Sequence, residues 1–538
     1  MTPEPLLFVL FGASGDLTAR KILPALAQLA DEDLLPSPFV LVGIARTKWS
    51  DEEFQKLCRD AGARAAAEHA NETPVAHDGD AGDGDAGDGD AGTGSGTGTD
   101  TEAGTGTAAS AERRRRSWDE ITSSFRYIPG DYDSDETFAT LEQVLTEIDD
   151  RCGTAGNRVY YLATIPALFG EVASALARHS LNKPAGGGRF ARLVVEKPFG
   201  SDLESARRLD ACLHESFDER SIYRIDHYMG KETVQNVLAL RFANAIFEPI
   251  WNRRYVDQVQ VTVAESIGVE HRGPFYEGAG ALRDIVQNHV MQVLALTLME
   301  PPPTMDPTAI RDEKVKLLRS IVIAQPGEVE RDVVRAQYDR GTIDGAAVPS
   351  YREEDGVAAR STIETFVAMR LHVDNWRWAG VPVYVRTGKR LAKRSTQVAM
   401  LFQRPPHLPF GGQLTSGLRA DALILRIQPD EGVTLSFGAK VPGQSFRVRT
   451  VEMNFSYQSE FGGRPADAYE RLLLDAMLGD PTLFIRTDEV EQAWSVVAPV
   501  QQAFSDDSLA LAHYPAGTWG PAAAATLLES TGHQWHNP

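Results

Sequence analysis

The feature that most constrains the fold is a short apolar run, Leu6 to Phe11, that leads directly into a glycine turn. The turn consists of Gly12, Ala13, Ser14, Gly15, Asp16 and Leu17, and we expect a helix after it, from roughly Thr18 to Ala30. A strand, a glycine turn and a helix bind dinucleotides in many proteins, because the glycines admit a pyrophosphate and the helix N-terminus attracts its charge. The G-x-x-G spacing lacks the usual third glycine, so the motif alone is weak evidence.

The rest of the N-terminal half continues the alternation of strand and helix. Apolar runs lie at Phe39 to Ile44, Val159 to Ala163 and Arg192 to Val195, with helical stretches between them. This pattern predicts a Rossmann-like α/β fold with a doubly wound parallel sheet. The second strand leads into Arg46, where an NAD site would have an acidic residue on the ribose, so the arginine favours the 2′-phosphate of NADP. A surface arginine at a strand end is the alternative.

The C-terminal half shows a different pattern, in which apolar and polar residues alternate. The alternating apolar positions are Val259, Val261 and Val263; Val367, Met369, Leu371 and Val373; Val381, Val383 and Val385; and Val433, Leu435 and Phe437. Period-two alternation predicts a large antiparallel sheet, which helices at Glu232 to Ala245 and Gly280 to Met299 would cover. A chain of 538 residues is too long for one simple core, so we expect two domains, at 1–226 and 227–538.

Residues 72–116 interrupt the first domain with Asp-Gly-Asp-Ala-Gly repeats that end in four arginines, Arg113 to Arg116. The segment has ten acidic residues and almost no side chain that could bury surface, so we expect a disordered insert. Known calcium-binding repeats contain alternating apolar residues that this segment lacks. The arginines are expected to pair loosely with the acidic tract rather than to form a nuclear or membrane address.

Composition argues against several function classes. A net charge of −21 argues against a nucleic-acid partner, because binding phosphate backbones requires clustered cations. The apolar run at Leu6 to Phe11 suits neither a signal peptide nor a membrane span, so no membrane association is expected. Cys58, Cys152 and Cys212 lie far apart without the spacing of a metal site, which favours a reducing cytoplasm.

Residues 224–232, Arg-Ile-Asp-His-Tyr-Met-Gly-Lys-Glu, concentrate polar groups after a strand-like segment. Asp226, His227, Tyr228 and Lys231 lie within six residues of one another. Cations and hydroxyls in one group are what a phosphate requires, because each phosphate oxygen accepts strong charge-assisted hydrogen bonds. The run predicts an anion site, and a solvated loop is the alternative.

A second polar group lies in the mostly apolar segment Gly280 to Met299, which predicts a largely buried helix. Asp284, Asn288 and His289 fall in its first half. A histidine in such a helix is usually a core residue with satisfied hydrogen bonds. Here it accompanies a carboxylate in a chain with a predicted cofactor site, so the sequence leaves a catalytic role open.

Together these motifs resemble the glucose-6-phosphate dehydrogenase family over most of the chain. The resembling segments are Phe11 to Leu17, Glu196 to Gly200, Arg224 to Glu232, Gly280 to His289, Arg386 to Arg394, Asp467 to Asp480 and Tyr514 to Gly520. The Arg224 to Glu232 run is far more specific than the glycine turn. The resemblance implies that glucose 6-phosphate is oxidised at C1 to 6-phosphoglucono-δ-lactone with NADP, the first step of the oxidative pentose phosphate pathway. It also implies a homodimer or homotetramer, with the second domain binding substrate and forming the subunit contact.

The resemblance further implies roles for individual residues. His289 would be the general base, Asp226 would orient it, and Lys197 would lie between sugar and cofactor, followed by a cis Pro198. The implied substrate-binding residues are Lys197, His227, Tyr228, Lys231, Glu265, Asp284, Lys389 and Arg394. The implied cofactor-binding residues are Gly12, Ala13, Ser14, Gly15, Asp16, Leu17, Arg46 and Lys197. No metal is implied, because the hydride goes to the cofactor and the proton to the imidazole.

Two departures and two alternatives remain. The segment from Tyr161 to Phe169 lacks one proline of the common pattern and has phenylalanine where many relatives have tyrosine, but neither change removes a charged group. One alternative is the same chemistry on another sugar phosphate or with NAD. The other is a non-catalytic dinucleotide-sensing protein, which would be expected to lack His289, Asp226 and Lys197.

Overall fold

The computed structural model describes residues 2–72, 118–154, 156–183, 186, 188–323, 329–409, 418–443, 446–461 and 466–538. The segment predicted to be a disordered insert, about 72–116, therefore lies almost entirely outside the described residues, and its disorder stays a prediction.

The first sheet contains six parallel strands in the order β3-β2-β1-β4-β5-β6. Their bounds are Leu6–Phe11 (β1), Phe39–Ala45 (β2), Arg126–Pro129 (β3), Arg158–Leu162 (β4), Ala191–Val195 (β5) and Ile222–Arg224 (β6). This is the doubly wound Rossmann order, so the prediction for the N-terminal half is confirmed. The strand order reverses between β1 and β4, and ligands of such sheets bind outside the carboxyl ends of the strands at that point.

The second sheet is large and runs in the order β17-β16-β15-β14-β7-β13-β12-β9-β18, with β8 paired to β12. Its strands are Val256–Ala264 (β7), Ile321–Val322 (β8), Val333–Asp339 (β9), Phe366–Val373 (β12), Val383–Gly388 (β13), Ser395–Phe402 (β14), Ala422–Gln428 (β15), Gly432–Lys440 (β16), Val448–Ser456 (β17) and Leu511–Pro515 (β18). Gly341–Ile343 (β10) and Ala346–Val348 (β11) form a separate hairpin. The predicted large sheet is confirmed and is mostly antiparallel, although β7 with β13 and β9 with β18 pair in parallel.

The α-helices described in the first half include Leu23–Asp31 (α1), Asp51–Glu72 (α2), Asp135–Cys152 (α3), Phe169–Arg178 (α4), Leu203–His214 (α5) and Glu232–Phe242 (α6). Those that follow are Gly273–Ala281 (α7), Met291–Leu298 (α8), Pro307–Leu318 (α9), Val329–Asp332 (α10), Tyr457–Phe461 (α11), Ala468–Leu478 (α12), Thr487–Ser505 (α13) and Ala522–Glu529 (α14). The helix predicted after the glycine turn exists, but its first part, Thr18–Ile22, is π-helical. Among the described helices we find none with the length and apolar character of a membrane span.

The single helix predicted from Gly280 to Met299 is interrupted. Gly280 has a φ of +68°, and a Cβ placed on it would lie 2.4 Å from a carboxylate oxygen of Glu364, so the chain kinks there. Leu282–Val290 then forms a π-helix before α8 begins. Residues five apart lie about 140° from each other around an α-helix, whereas the i→i+5 bonding of a π-helix brings them towards one face. Asp284 and His289 are therefore brought to the same side.

The C-terminal helices return to the first sheet. Helix α12 packs against α1, and α13 packs against α5. Within α13, the Trp494 Nε1 donates a hydrogen bond of 2.9 Å to the carbonyl of Phe199, two residues beyond Lys197. The last part of the chain thus supports the loop that follows β5. The predicted domain boundary between residues 226 and 227 stays a prediction.

Candidate active site

Two cavities meet beside the carboxyl ends of the parallel strands. The glycine cavity, of about 850 Å³, is lined by Gly12 and Gly15 at the end of β1 and by Ala163 at the end of β4. The cation cavity, of about 1050 Å³, is lined by Lys231 and Arg394. Both cavities share the lining residues Lys197, His227, Arg272, Asp284 and Tyr469. A ligand in one cavity would therefore lie next to a ligand in the other.

The turn after β1 approaches the end of β4 so closely that only a glycine fits at its first position. Gly12 has a φ of +85°, and a Cβ on it would lie 2.3 Å from the carbonyl oxygen of Ala163. The Gly12 carbonyl accepts a 2.9 Å hydrogen bond from the Thr18 hydroxyl, which fixes the turn against the following helix. The glycine therefore keeps two strand ends close together beneath the cavity, as a pyrophosphate cradle at a switch point requires.

The residues predicted to bind the cofactor differ in position. Gly12, Ser14, Gly15, Leu17, Arg46 and Lys197 all line the glycine cavity. Ala13 is buried behind the turn, and Asp16 is exposed and paired with Arg20. Arg46 is exposed at the cavity wall, and no ion pair that the structure gives for the described residues includes it. Its guanidinium is thus available to an anionic ligand.

A buried histidine and aspartate form the centre of the site. The Nδ1 of His289 lies 2.5 Å from Oδ1 of Asp226, and each side chain is only 1% exposed. A carboxylate can only accept, so Nδ1 is the donor. The Nζ of Lys197 lies 2.9 Å from Nε2 of the same ring, and an ammonium can only donate. The two contacts together fix the tautomer in which Nδ1 carries the proton and Nε2 holds the lone pair that accepts from Lys197.

The electrostatics agree with this assignment. Burial lowers the pKa of His289, and the Asp226 carboxylate offsets this only in part, so the imidazole is neutral near pH 7. Burial opposes ionisation of Asp226, but its contacts with His289 and with the backbone N–H of Tyr228 outweigh burial and hold the pKa of Asp226 below its usual range. The pair is thus a carboxylate with a neutral imidazole, which is the form a general base must have.

Lys197 connects His289 to a second carboxylate. Its Nζ donates to the backbone carbonyl of Asp284 at 2.8 Å and to Oδ1 of Asp284 at 3.1 Å. Burial raises the pKa of Asp284, but the nearby cations Lys197, Lys389 and Arg272 outweigh this and lower it to about 2. The peptide bond between Lys197 and Pro198 is cis, as predicted. The π-helix makes the shared contact possible, because it brings Asp284 and His289 to the same side.

The cation cavity has the character of an anion site. Burial lowers the pKa of Lys231, and the neighbouring Arg394 and Lys21 lower it further, although Glu431 and Asp467 act in the opposite direction. Burial and the positive charges around it keep the pKa of His227 well below its usual value, so this ring offers a hydrogen bond rather than a charge. An incoming dianion would relieve the repulsion among the cations.

The other predicted substrate residues surround the same space. The Tyr228 ring stacks on His289 with a centroid distance of 4.2 Å, which holds the imidazole plane. Glu265 lines the cation cavity and accepts a 2.7 Å bond from Lys389 Nζ. Lys389 is buried and is not among the residues that line this cavity, so it acts on the space through the carboxylates it stands near, Glu265 and Asp284.

The lining residues to which the sequence-based prediction gives no role include three with charged or phenolic side chains, Lys21, Arg272 and Tyr469. Lys21 lines the cation cavity, and Arg272 and Tyr469 line both cavities. Lys21 lies in the helix predicted after the glycine turn, and Tyr469 lies in the resembling segment from Asp467 to Asp480. The neighbouring sequence does not distinguish either residue from an ordinary surface residue. Their position depends on how α12 packs against α1, which a single sequence does not reveal.

Comparison with known proteins extends over the whole chain. The family model described as glucose-6-phosphate dehydrogenase, NAD binding domain, matches residues 9–78 and 99–236. The model described as glucose-6-phosphate dehydrogenase, C-terminal domain, matches residues 238–536. The chain is 44% identical over 530 residues to glucose-6-phosphate 1-dehydrogenase 2 of Mycobacterium bovis, covering 98% of this chain and 94% of that protein. It is 42% identical to glucose-6-phosphate 1-dehydrogenase of Aggregatibacter actinomycetemcomitans, covering 100% and 98%.

Solved structures give the same result. The structure described as glucose-6-phosphate dehydrogenase in complex with its substrate glucose-6-phosphate superimposes with a TM-score of 0.82 at 31% identity, covering 100% of this chain and 99% of that chain. Glucose-6-phosphate 1-dehydrogenase from Mycobacterium avium superimposes with a TM-score of 0.77 at 33% identity, covering 100% and 99%.

Replacing Gly12 with alanine is expected to weaken dinucleotide binding about 10-fold or more. The added Cβ would force the glycine turn away from Ala163, and overpacking of this kind typically costs about 1–3 kcal/mol. Titration calorimetry with NADP and with NAD measures the effect.

Gly153→Ala is the matched control. Gly153 also has a positive φ, +71°, but a Cβ on it meets nothing within 4 Å. This variant should show a small loss of stability and unchanged dinucleotide affinity. Equal loss of dinucleotide affinity in both variants would show that the effect comes from the backbone conformation of a glycine with positive φ and not from the close approach to Ala163.

Proposed function

The chain belongs to the glucose-6-phosphate dehydrogenase family, and we infer that it oxidises D-glucose 6-phosphate at C1 to 6-phospho-D-glucono-1,5-lactone with a nicotinamide cofactor. This is the first step of the oxidative pentose phosphate pathway. The observation that supports the reaction best is the position of Lys197. Its Nζ contacts Nε2 of a buried, neutral histidine at the junction of a dinucleotide-type cavity and an anion cavity.

His289 is the proposed general base. Its Nε2 lone pair takes the proton of the sugar C1 hydroxyl, which enters where Lys197 Nζ lies in the structure. Asp226 then faces an imidazolium and stabilises it through the 2.5 Å contact at Nδ1. The nicotinamide, when bound, accepts the hydride from C1. Because the dyad is almost fully buried, water competes little for the base, and the full charge of Asp226 acts on the ring.

The substrate is proposed to lie with its phosphate in the cation cavity. Lys231 supplies a charge, and Tyr228 and His227 supply hydrogen bonds. Glu265 and Asp284 face the same cavity and would accept from the sugar hydroxyls. Arg394 adds positive charge at the rim, whereas Lys389 would act by holding Glu265.

NADP is the proposed cofactor, with NAD as the alternative. The support is Arg46, an exposed guanidinium at the wall of the glycine cavity, where it could pair with a 2′-phosphate. Gly12, Ser14 and Gly15 would receive the pyrophosphate, with Lys197 at the nicotinamide end. Ala13, Asp16 and Leu17 would contribute the backbone of the turn.

The remaining expectations are also proposals. A homodimer or homotetramer is supported by strand β17, which forms an edge of the large sheet and exposes Met453. A cytoplasmic location is supported by the three cysteines, which are all free. The division into a cofactor domain at 1–226 and a substrate domain at 227–538 is supported by the two separate sheets.

Initial rates with the purified protein test the function. Nicotinamide reduction is followed with glucose 6-phosphate or free glucose, and with NADP or NAD. We expect turnover with glucose 6-phosphate and NADP, and a much lower kcat/KM with free glucose because the cation cavity is then unused. No nicotinamide reduction with any pairing would reject the proposed function, and a preference for NAD would reject the role of Arg46.

Replacing His289 with asparagine is expected to lower kcat by about 10²- to 10⁴-fold while glucose 6-phosphate still binds. In the natural protein, kcat/KM should fall only at a pH below the usual histidine range, because burial lowers the pKa of His289 and the base must be unprotonated. The pH profile of the asparagine variant should lack this acid limb.

His513→Asn is the control, since His513 is also paired with an aspartate but is 41% exposed and remote from both cavities. It should retain natural turnover and the natural pH profile. If His289→Asn retained turnover comparable to that control, another group would have to be the base.

Replacing Arg46 with alanine is expected to raise the KM for NADP far more than the KM for NAD, because only NADP has the 2′-phosphate. Lys48→Ala is the matched control, because it removes an exposed positive charge that does not line the glycine cavity. An equal change in both KM values for Arg46→Ala would exclude the contact.

A further inference from the structure

One buried carboxyl beside the catalytic lysine has no part in the proposed chemistry. Glu196 follows β5 directly, precedes Lys197, is 8% exposed and lines the glycine cavity. The hydroxyl of Tyr161, on the neighbouring strand β4, donates to Oε1 of Glu196 at 2.5 Å. Tyr469 lines the same cavity, and hydrogen bonding by its hydroxyl offsets part of the effect of burial on the pKa of Glu196. A buried carboxyl with two donors is firmly held in position.

The two tyrosines belong to different parts of the fold. Tyr161 lies within the first sheet, so its bond to Glu196 connects adjacent strands. Tyr469 lies in the first turn of α12, more than 200 residues beyond the last strand of that sheet. It lines both cavities, and its ring lies parallel to the ring of His227 with a centroid distance of 6.4 Å. Its hydroxyl therefore connects the loop of Lys197 to the side of the molecule that forms the cation cavity.

The start of α12 is fixed at further points around the same junction. Asp467 caps the helix by accepting a 2.9 Å bond from the Tyr469 backbone N–H, and it also pairs with Lys21 at 3.1 Å. A Cβ on Gly230 would lie 2.5 Å from the carbonyl oxygen of Ala468, so the anion-binding run passes in close contact with this turn. The first turn of α12 thus contacts three segments at once: the helix after the glycine turn, the loop that contains Lys197, and the polar segment 224–232.

We propose that Tyr469 and Glu196 are positioning residues, whose hydrogen bond sets the distance between the sugar in the cation cavity and the nicotinamide in the glycine cavity. The inference rests on the proposed function. Hydride transfer requires both reacting carbons at near-contact distance, and a displacement of about 1 Å can cost about 10²-fold in rate. Each ligand binds within its own cavity, so losing the bond alters the alignment of the two ligands rather than the affinity for either one.

The nature of this bond makes it suitable for positioning. Burial raises the pKa of Glu196 to about 7, and the hydroxyls of Tyr161 and Tyr469 offset burial only in part. The carboxyl is therefore held mainly by directional hydrogen bonds to hydroxyls rather than by a charge pair. Directional bonds fix geometry more closely than a screened ion pair does.

Tyr469→Phe tests the proposal, with Tyr161→Phe as matched control. Each variant removes one hydroxyl from the same carboxyl, but only the first removes the connection between the two sides. Single-turnover nicotinamide reduction is measured with enzyme in excess over glucose 6-phosphate and with saturating NADP. For Tyr469→Phe we expect the rate constant to fall about 10-fold, with the Kd of each ligand alone within about 2-fold of the natural value. Tyr161→Phe should keep the natural rate constant.

The readout separates positioning from folding. Partial misfolding only reduces the excess of active enzyme, and as long as the folded enzyme remains saturating it leaves the rate constant unchanged, because only folded molecules react. A natural rate constant for Tyr469→Phe would overturn the proposal, and so would equal slowing in both variants or a loss confined to the Kd of one ligand. Failure of the proposed function itself would be recognised separately, because the natural protein would then show no turnover.

Discussion

The site depends on burying a histidine and an aspartate together. Asp226 and His289 are 63 positions apart in the chain and both almost fully removed from water, so neither polar group could be buried alone without a large desolvation cost. The hydrogen bond between Nδ1 and the carboxylate offsets the desolvation cost of the imidazole and leaves Nε2 with its lone pair. Burial then keeps the ring neutral, so that at neutral pH it is able to accept a proton.

The rest of the fold forms the two cavities that meet at Lys197, beside that lone pair. The first sheet has its switch point at β1 and β4, which opens the glycine cavity, while the large sheet and its helices enclose the cation cavity. Lys197 lies where the cavities meet and contacts His289 and Asp284 simultaneously. Neither sheet contains the complete site. The C-terminal helices α12 and α13 pack against α1 and α5 of the N-terminal half and so connect the two halves of the chain.

Local patterns in the sequence predicted much of this arrangement. Strand β1 was predicted with its observed bounds, because a continuous apolar run ended by glycine has few alternatives. The segment around Asp226 stood out because it concentrates charged groups that water normally solvates. The kink at Gly280, the parallel pairing of β7 with β13, and the role of Tyr469 were not predictable in the same way. Each depends on a neighbour distant in sequence, such as Glu364 facing Gly280, and hydrophobic periodicity contains no information about such neighbours.

The π-helix at Leu282–Val290 has a consequence for how this protein can vary. A π turn accommodates more residues per turn than an α turn, so the segment between Asp284 and His289 responds differently to the loss and to the gain of a residue. Loss of a single position would let the backbone relax into ordinary α-helical winding, in which residues four apart lie only about 40° from each other, so the carboxylate and the imidazole would stay on one face. Gain of a single position would instead turn the imidazole away by roughly 100°. Insertions should therefore be excluded from this stretch during evolution, whereas a one-residue deletion should be tolerated.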